Sequence, residues 1–140
     1  MGDTTVRWTP RDLASVMLYS NDKVVERYAR SSGIPLREAH RHFEGLKQFL
    51  FMCAAKPGSH TPSNTVAAVW HVFLLFTKDY GNFCRGYLGR FIDHRPAETP
   101  SREAYSATRR EAGGMLGRLD EGSWPTEGDG ASRYDGGPGA

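Results

Sequence analysis

The chain reads as an all-α protein, a compact irregular bundle of about five to six helices with a flexible Gly-rich C-terminal tail, and three observations carry that reading. Apolar residues recur at spacings of three and four over most of its length. Helix starts and stops follow one another: Asn21, Ser63 and Ser101 stand where caps belong, and Gly33 and Lys56-Pro57-Gly58 stand where helices end. With 140 residues, 39% of them hydrophobic, the chain can bury one core without disulfides. The expected organisation is a single helical domain over residues 1–119 and a tail over residues 120–140.

Thr9-Pro10-Arg11-Asp12 opens the first helix, with Thr9 as cap and Pro10 in the first helical position, where its missing N–H costs nothing. Asp12 falls in the favourable first turn, and Leu13, Val16 and Met17 face inward. Asn21 caps a second helix whose inward residues are Val24, Val25 and Tyr28, and Gly33 stops it. The segment Leu36–Ala55 follows, with an apolar stripe of Leu36, Ala39, Phe43, Leu46, Phe49 or Leu50, and Cys53. Glu38, Arg41, Glu44, Lys47 and Gln48 fall mostly on its other side. His40 and His42 diverge on a helix, so they read as surface or boundary residues and not as a chelating pair.

The stretch 62–96 is the densest in apolar and aromatic residues and reads as the organising element. Ser63 caps a helix in which Val66, Val69, Trp70, Phe73 and Leu74 form one broad face, while Val72, Leu75 and Phe76 carry apolar character around it. Such a helix belongs at the centre. Lys78-Asp79-Tyr80-Gly81 predicts a break, residues 82–88 a short helix that Gly89 ends, and residues 90–96 an irregular passage closed by Pro96. A last helix starts at Ser101 and presents Tyr105, Thr108, Ala112, Met115, Leu116 and Leu119. Gly113, Gly114 and Gly117 each subtract roughly 1 kcal/mol of propensity, so its second half is expected to fray. Beyond it the Gly/Asp/Ser-rich composition predicts flexibility unless Trp124 docks back onto the core.

The formal charge of +2 carries no clustered basic block, so charge alone does not argue for nucleic acid. Two cysteines, Cys53 and Cys84, both in apolar helical contexts, make no secreted-type framework and favour a reducing compartment. The first ten residues lack an apolar leader, no apolar run reaches membrane-spanning length, and Val6 occupies the place where a myristoylation signal wants Ser or Thr. The expectation is a cytoplasmic protein without a membrane partner.

His71, Cys84 and His94 are the candidate site. Twelve and nine residues separate them, unlike a zinc finger, yet a central helix, a short helix and a returning loop can bring them together. Such a set suits zinc, with His60, water or Cys53 as a fourth ligand. The same Cys84 and His71 allow a nucleophile and base, though no helix N-terminus is placed to lower the thiol's pKa. A structural role is the simpler account: the histidines bond across helix joints while Cys84 and Trp70 fill the core. Trp70, Arg85, Arg90 and Arg95, with Lys78 nearby, form an aromatic and basic region suited to an acidic protein partner and, more weakly, to nucleic acid.

Val66, Trp70-His71, Thr77, Tyr80, Phe83-Cys84, Gly89, Phe91-Ile92, His94 and Pro96 together resemble the motif of the glycine-rich domain-containing protein-like family of plants and bacteria. The resemblance extends more loosely over roughly residues 10–120. It implies the helical fold and the importance of the Trp-His, Cys and His positions, and it implies no reaction. One position departs: Ala67 stands where that family usually has Asp, one turn before His71, which removes a carboxylate able to orient the imidazole. The reading that follows is a small helical protein-interaction or adaptor module. The alternatives are a metal-dependent enzyme built on His71, Cys84 and His94, and a nucleic-acid-binding protein.

Overall fold

The computed structural model describes residues 10–93 and 101–126, and these form six α-helices, one π-helical turn and no strand. In chain order they are α1 (Leu13–Met17), α2 (Asp22–Ser32), α3 (Leu36–Ala55), α4 (Asn64–Leu75), α5 (Thr77–Phe83), the π turn Cys84–Leu88, and α6 (Arg102–Leu116). Side-chain caps set the starts. Asn21 accepts from the Val24 N–H, Ser63 from Val66 and Ser101 from Ala104, each at the expected position. The first helix differs: Asp12, and not Thr9, caps it by accepting from the Ser15 N–H at 2.9 Å. Thr9 lies outside the described residues.

Helix α3 is the axis of the bundle. It packs against α1, α2, α4, α6 and the π turn, whereas the helix expected to be the hub, α4, meets α2, α3 and α5. The reason is length and stripe width: the 20 residues of α3 bury Ala39, Phe43, Leu46, Phe49, Leu50 and Met52 on a face broad enough for several neighbours. Phe43, Phe73 and Phe83 meet Tyr19 and Tyr87 in an aromatic cluster with centroid separations of 4.6 to 6.2 Å. Each fully buried side chain of this kind contributes roughly 1.5–3 kcal/mol. Exposed ion pairs such as Lys23–Asp79 and Lys56–Glu111 contribute about 0–1 kcal/mol, so burial and not charge pairing holds the bundle.

The break in the central apolar run falls at Phe76, not at residues 78–81. Phe76 leaves the helical region (φ −93, ψ 67), its N–H bonds to the Phe73 carbonyl, and α5 restarts when the Tyr80 N–H bonds to the Phe76 carbonyl. Gly81, the expected breaker, is buried inside α5 with the Arg85 guanidinium beside it. Helix α5 then runs into the π turn, where the Gly89 N–H bonds to the Cys84 carbonyl five residues back. Gly89 is required twice over. Its φ of +79 favours glycine, and a Cβ there would lie 2.7 Å from the Pro10 nitrogen. The segment before α1 is docked on the same turn: the Arg11 N–H bonds to the Tyr87 carbonyl and its Nε to the Gly86 carbonyl, both at 2.8 Å.

Helix α6 is continuous through Gly113 and Gly114 to Leu116 and ends at Gly117, so the expected fraying is not seen. Residues 120–126 explain why. Trp124 docks back and is fully buried against Phe49, Arg109 donates to the Trp124 carbonyl at 2.9 Å, and Tyr105 donates to the Pro125 carbonyl at 2.8 Å. The packed part of the chain thus runs past residue 119. Residues 127–140 of the expected tail lie outside the described residues. Among the described residues no helix is long and apolar enough to cross a membrane.

Candidate functional site

Tyr80 is the residue around which the candidate positions gather. The kink at Phe76 turns α5 back on α4, so the Tyr80 hydroxyl accepts from Trp70 Nε1 at 3.1 Å and donates to the Ile92 carbonyl at 2.6 Å. Three segments, α4, α5 and the passage after Gly89, are joined by one buried oxygen. The Cys84 thiol stands next to it, and Cys53 of α3 is also near enough to disfavour ionisation of the phenol. Burial, then Cys84, hold the Tyr80 hydroxyl far above its usual range. It is a fixed hydrogen-bonding group that accepts from one buried partner and donates to another.

Burial disfavours the thiolate of both cysteines. Burial pushes Cys53 up to about 12 against the lowering effect of Arg90. Burial likewise raises Cys84, with the Ile92 backbone and the Tyr80 hydroxyl acting in the opposite direction. The thiolate is the form that ligates a metal or acts as a nucleophile, and burial disfavours it at both positions. His71 is half-buried on α4. His60 is committed elsewhere: its Nε2 bonds to the Lys56 carbonyl at 2.6 Å, closing the C-terminus of α3. His94 and Arg95 lie outside the described residues. Among the described residues, no three His, Cys, Asp or Glu side chains are gathered in a way that could hold a metal ion.

The expected interaction residues divide by depth. Trp70 is 4% exposed, packs edge-on to Phe49 at 5.5 Å and belongs to the core. Arg85 and Arg90 are exposed, Arg85 bonding to Asn82 Oδ1 at 2.7 Å. Phe91, next to Arg90 in the chain, is 47% exposed, with its ring edge-on to Tyr80 at 5.5 Å and 83°.

Two buried polar groups escaped the sequence reading. His42 is buried and its Nδ1 lies 2.8 Å from the Tyr28 hydroxyl, a bond that ties α3 to α2. His40 is exposed, as its divergent direction implied. Lys47 was placed on the polar side of α3, yet it is 1% exposed and donates to the Met17 and Tyr19 carbonyls at 2.8 and 2.6 Å while Glu44 holds it at 2.7 Å. It closes the C-terminal end of α1 with a cation. A lysine one turn from the Phe43–Leu46 stripe was the only signal, and charge patterning does not distinguish such a residue from a solvated one.

No curated protein and no solved structure matches the chain. A family model matches residues 17–111, from the end of α1 into α6, and its family is an uncharacterised one that differs from the glycine-rich domain family suggested by the Trp-His and Phe-Cys motif. That match corrects the resemblance: the motif residues lie within the matched span, but no glycine-rich domain family is shown. Covering more than half of the chain, the match establishes that this protein belongs to the UCP032817-like family.

Proposed function

We propose that the protein is a helical interaction module that presents the passage after α5 to a protein partner. The observation that carries this reading is Phe91, a half-exposed aromatic ring held in place by the buried Tyr80 network. An apolar anchor whose position is fixed before binding loses little conformational entropy when it is covered. Exposed Arg85 and Arg90 supply the charged surroundings, and aromatic residues with arginine are the types enriched in binding hot spots. A partner with an apolar pocket and acidic rim suits this surface.

Photo-crosslinking from a benzoyl-phenylalanine placed at Phe91 identifies the partner, and calorimetry with that purified partner then compares wild type with Phe91→Ala and Arg90→Glu. Loss of at least about 2 kcal/mol of binding energy for Phe91→Ala is expected of a hot spot. Equal affinity of both variants and wild type for the purified partner excludes this surface. The variants' unfolding midpoints, measured alongside, separate lost binding from lost folding.

A further inference from the structure

A cleft of about 310 Å³ lies away from the Tyr80 network, between α3 and residues 118–120. Gly45, Met17 and Leu119 give it an apolar floor. Glycine at 45 brings its two walls together, because a Cβ there would run into the side chain of Ser123 and push away the segment that carries Arg118. The Ser123 hydroxyl donates to the Arg41 carbonyl at 3.2 Å, fastening that segment to α3 beside the cleft.

The rim carries charges of both signs, and their states of engagement differ. Glu44 holds Lys47 Nζ at 2.7 Å, and Asp120 Oδ2 accepts from the Ser123 N–H at 3.1 Å. Among the described residues the side chains of Arg41, Arg118 and Gln48 make no hydrogen bond or ion pair. Two exposed guanidiniums and one amide thus line the cleft without a partner among the described residues; Glu44 is neutralised by Lys47, while Asp120, bonded to a neutral donor, keeps a negative charge that the two arginines outnumber. Guanidinium forks pair with planar or tetrahedral oxyanions through two bonds at once. The volume is at the lower end of the roughly 300–1,000 Å³ typical of small-molecule sites.

We propose that this cleft binds a small organic anion, through Arg41 and Arg118 with Gln48 as a neutral donor. The shared chemistry is an oxyanion, and both phosphate and carboxylate sources present it. Apolar contact with Met17 and Leu119 favours an anion that carries a short carbon skeleton over a bare inorganic ion.

The test is a titration of the ¹⁵N-labelled full chain with inorganic phosphate, pyrophosphate, glycerol 3-phosphate and citrate, read at the amides of Gly45, Gln48 and Leu119. Saturable shifts confined to these residues are expected, strongest for glycerol 3-phosphate if the source is phosphate and for citrate if it is carboxylate. The double variant Arg41→Gln/Arg118→Gln, whose lost side chains hold nothing in the fold, weakens that binding by about tenfold or more for each guanidinium removed. The pair Arg102→Gln/Arg110→Gln on α6, equal in charge change, leaves it unaltered. Shifts that do not saturate, that spread over the surface, or that weaken equally in both double variants mean non-specific ion attraction only and overturn the proposal.

Discussion

At Tyr80 a single oxygen satisfies two buried groups, and its removal separates hydrogen bonding from packing. Tyr80→Phe keeps the ring against Phe73 and Phe91 while leaving Trp70 Nε1 and the Ile92 carbonyl without that partner. A loss of about 1–3 kcal/mol in urea denaturation is expected, and a change within error would mean that the bonds are replaced or of no consequence. His42 acts through its charge. Burial holds its imidazole below the usual range, outweighing Glu38 and Asp120, which push it up, while Arg41 adds to the lowering. In the neutral ring Nδ1 is hydrogen-bonded to the Tyr28 hydroxyl at 2.8 Å and Nε2 faces Glu38 at 3.8 Å. As pH falls below about 6.5, the unfolded chain takes up this proton first. The stabilisation is therefore complete above that value and declines between it and the lowered folded pKa. Asp12, Asp79 and Glu111, whose carboxyls are lowered by their hydrogen-bonding partners, lose their contributions only in a more acidic window. The unfolding midpoint should thus fall from pH 7.5 to 5.5 in wild type and stay level in His42→Gln, which still offers Tyr28 a partner. The same slope in both proteins would assign the effect to another group.

At the scale of elements, Gly45 is where α3 and the final turn depend on each other. Ser123 occupies the space that a side chain on Gly45 would need, and Ser63 donates to the Ser123 carbonyl at 2.6 Å, so the turn is tied to the start of α4 as well. Gly45→Ala gains helix propensity of roughly 1 kcal/mol on α3 but forces the turn outward, and overpacking of this kind costs about 1–3 kcal/mol. Combining it with Ser123→Gly restores the space, so the double variant should lose less than the sum of the two single losses in a double-mutant cycle. Strict additivity would show that the turn relaxes freely. This coupling also marks the limit of what the sequence makes legible. Asn21, Ser63 and Ser101 cap their helices through their own side chains, and the stripe of α3 lies within a single helix, so local pattern suffices for both. The kink at Phe76 has no proline or glycine to signal it, and the burial of Lys47 depends on carbonyls at the end of α1 and just beyond it, about thirty residues away. Tyr80 shows the limit most plainly: the sequence named it within an expected break and a family resemblance that were both corrected, and its role follows from the kink at Phe76.

At the scale of the molecule, residues 120–126 complete the core from outside the family-matched span of 17–111. Trp124 fills a fully buried site against Phe49, yet its Nε1 has no hydrogen-bond partner, so a large packing gain carries the cost of one desolvated donor. Those opposing effects predict an order. Trp124→Ala empties the site and should cost about 3–5 kcal/mol. Trp124→Phe retains most of the ring and removes the unpaired donor, whose burial costs about 1–3 kcal/mol, so its loss should be much smaller. Truncation after Leu119 removes Trp124 together with the bonds from Ser63, Tyr105 and Arg109. It should therefore exceed Trp124→Ala and uncover the apolar surface between α3, α4 and α6. Urea midpoints for the three variants, with dye binding as a measure of exposed apolar surface, test the order. A truncated chain as stable as wild type would mean that these residues rest on a core already complete. If Trp124→Phe instead proves as damaging as Trp124→Ala, indole shape outweighs the unpaired donor, and Trp124 holds the turn through close fit alone.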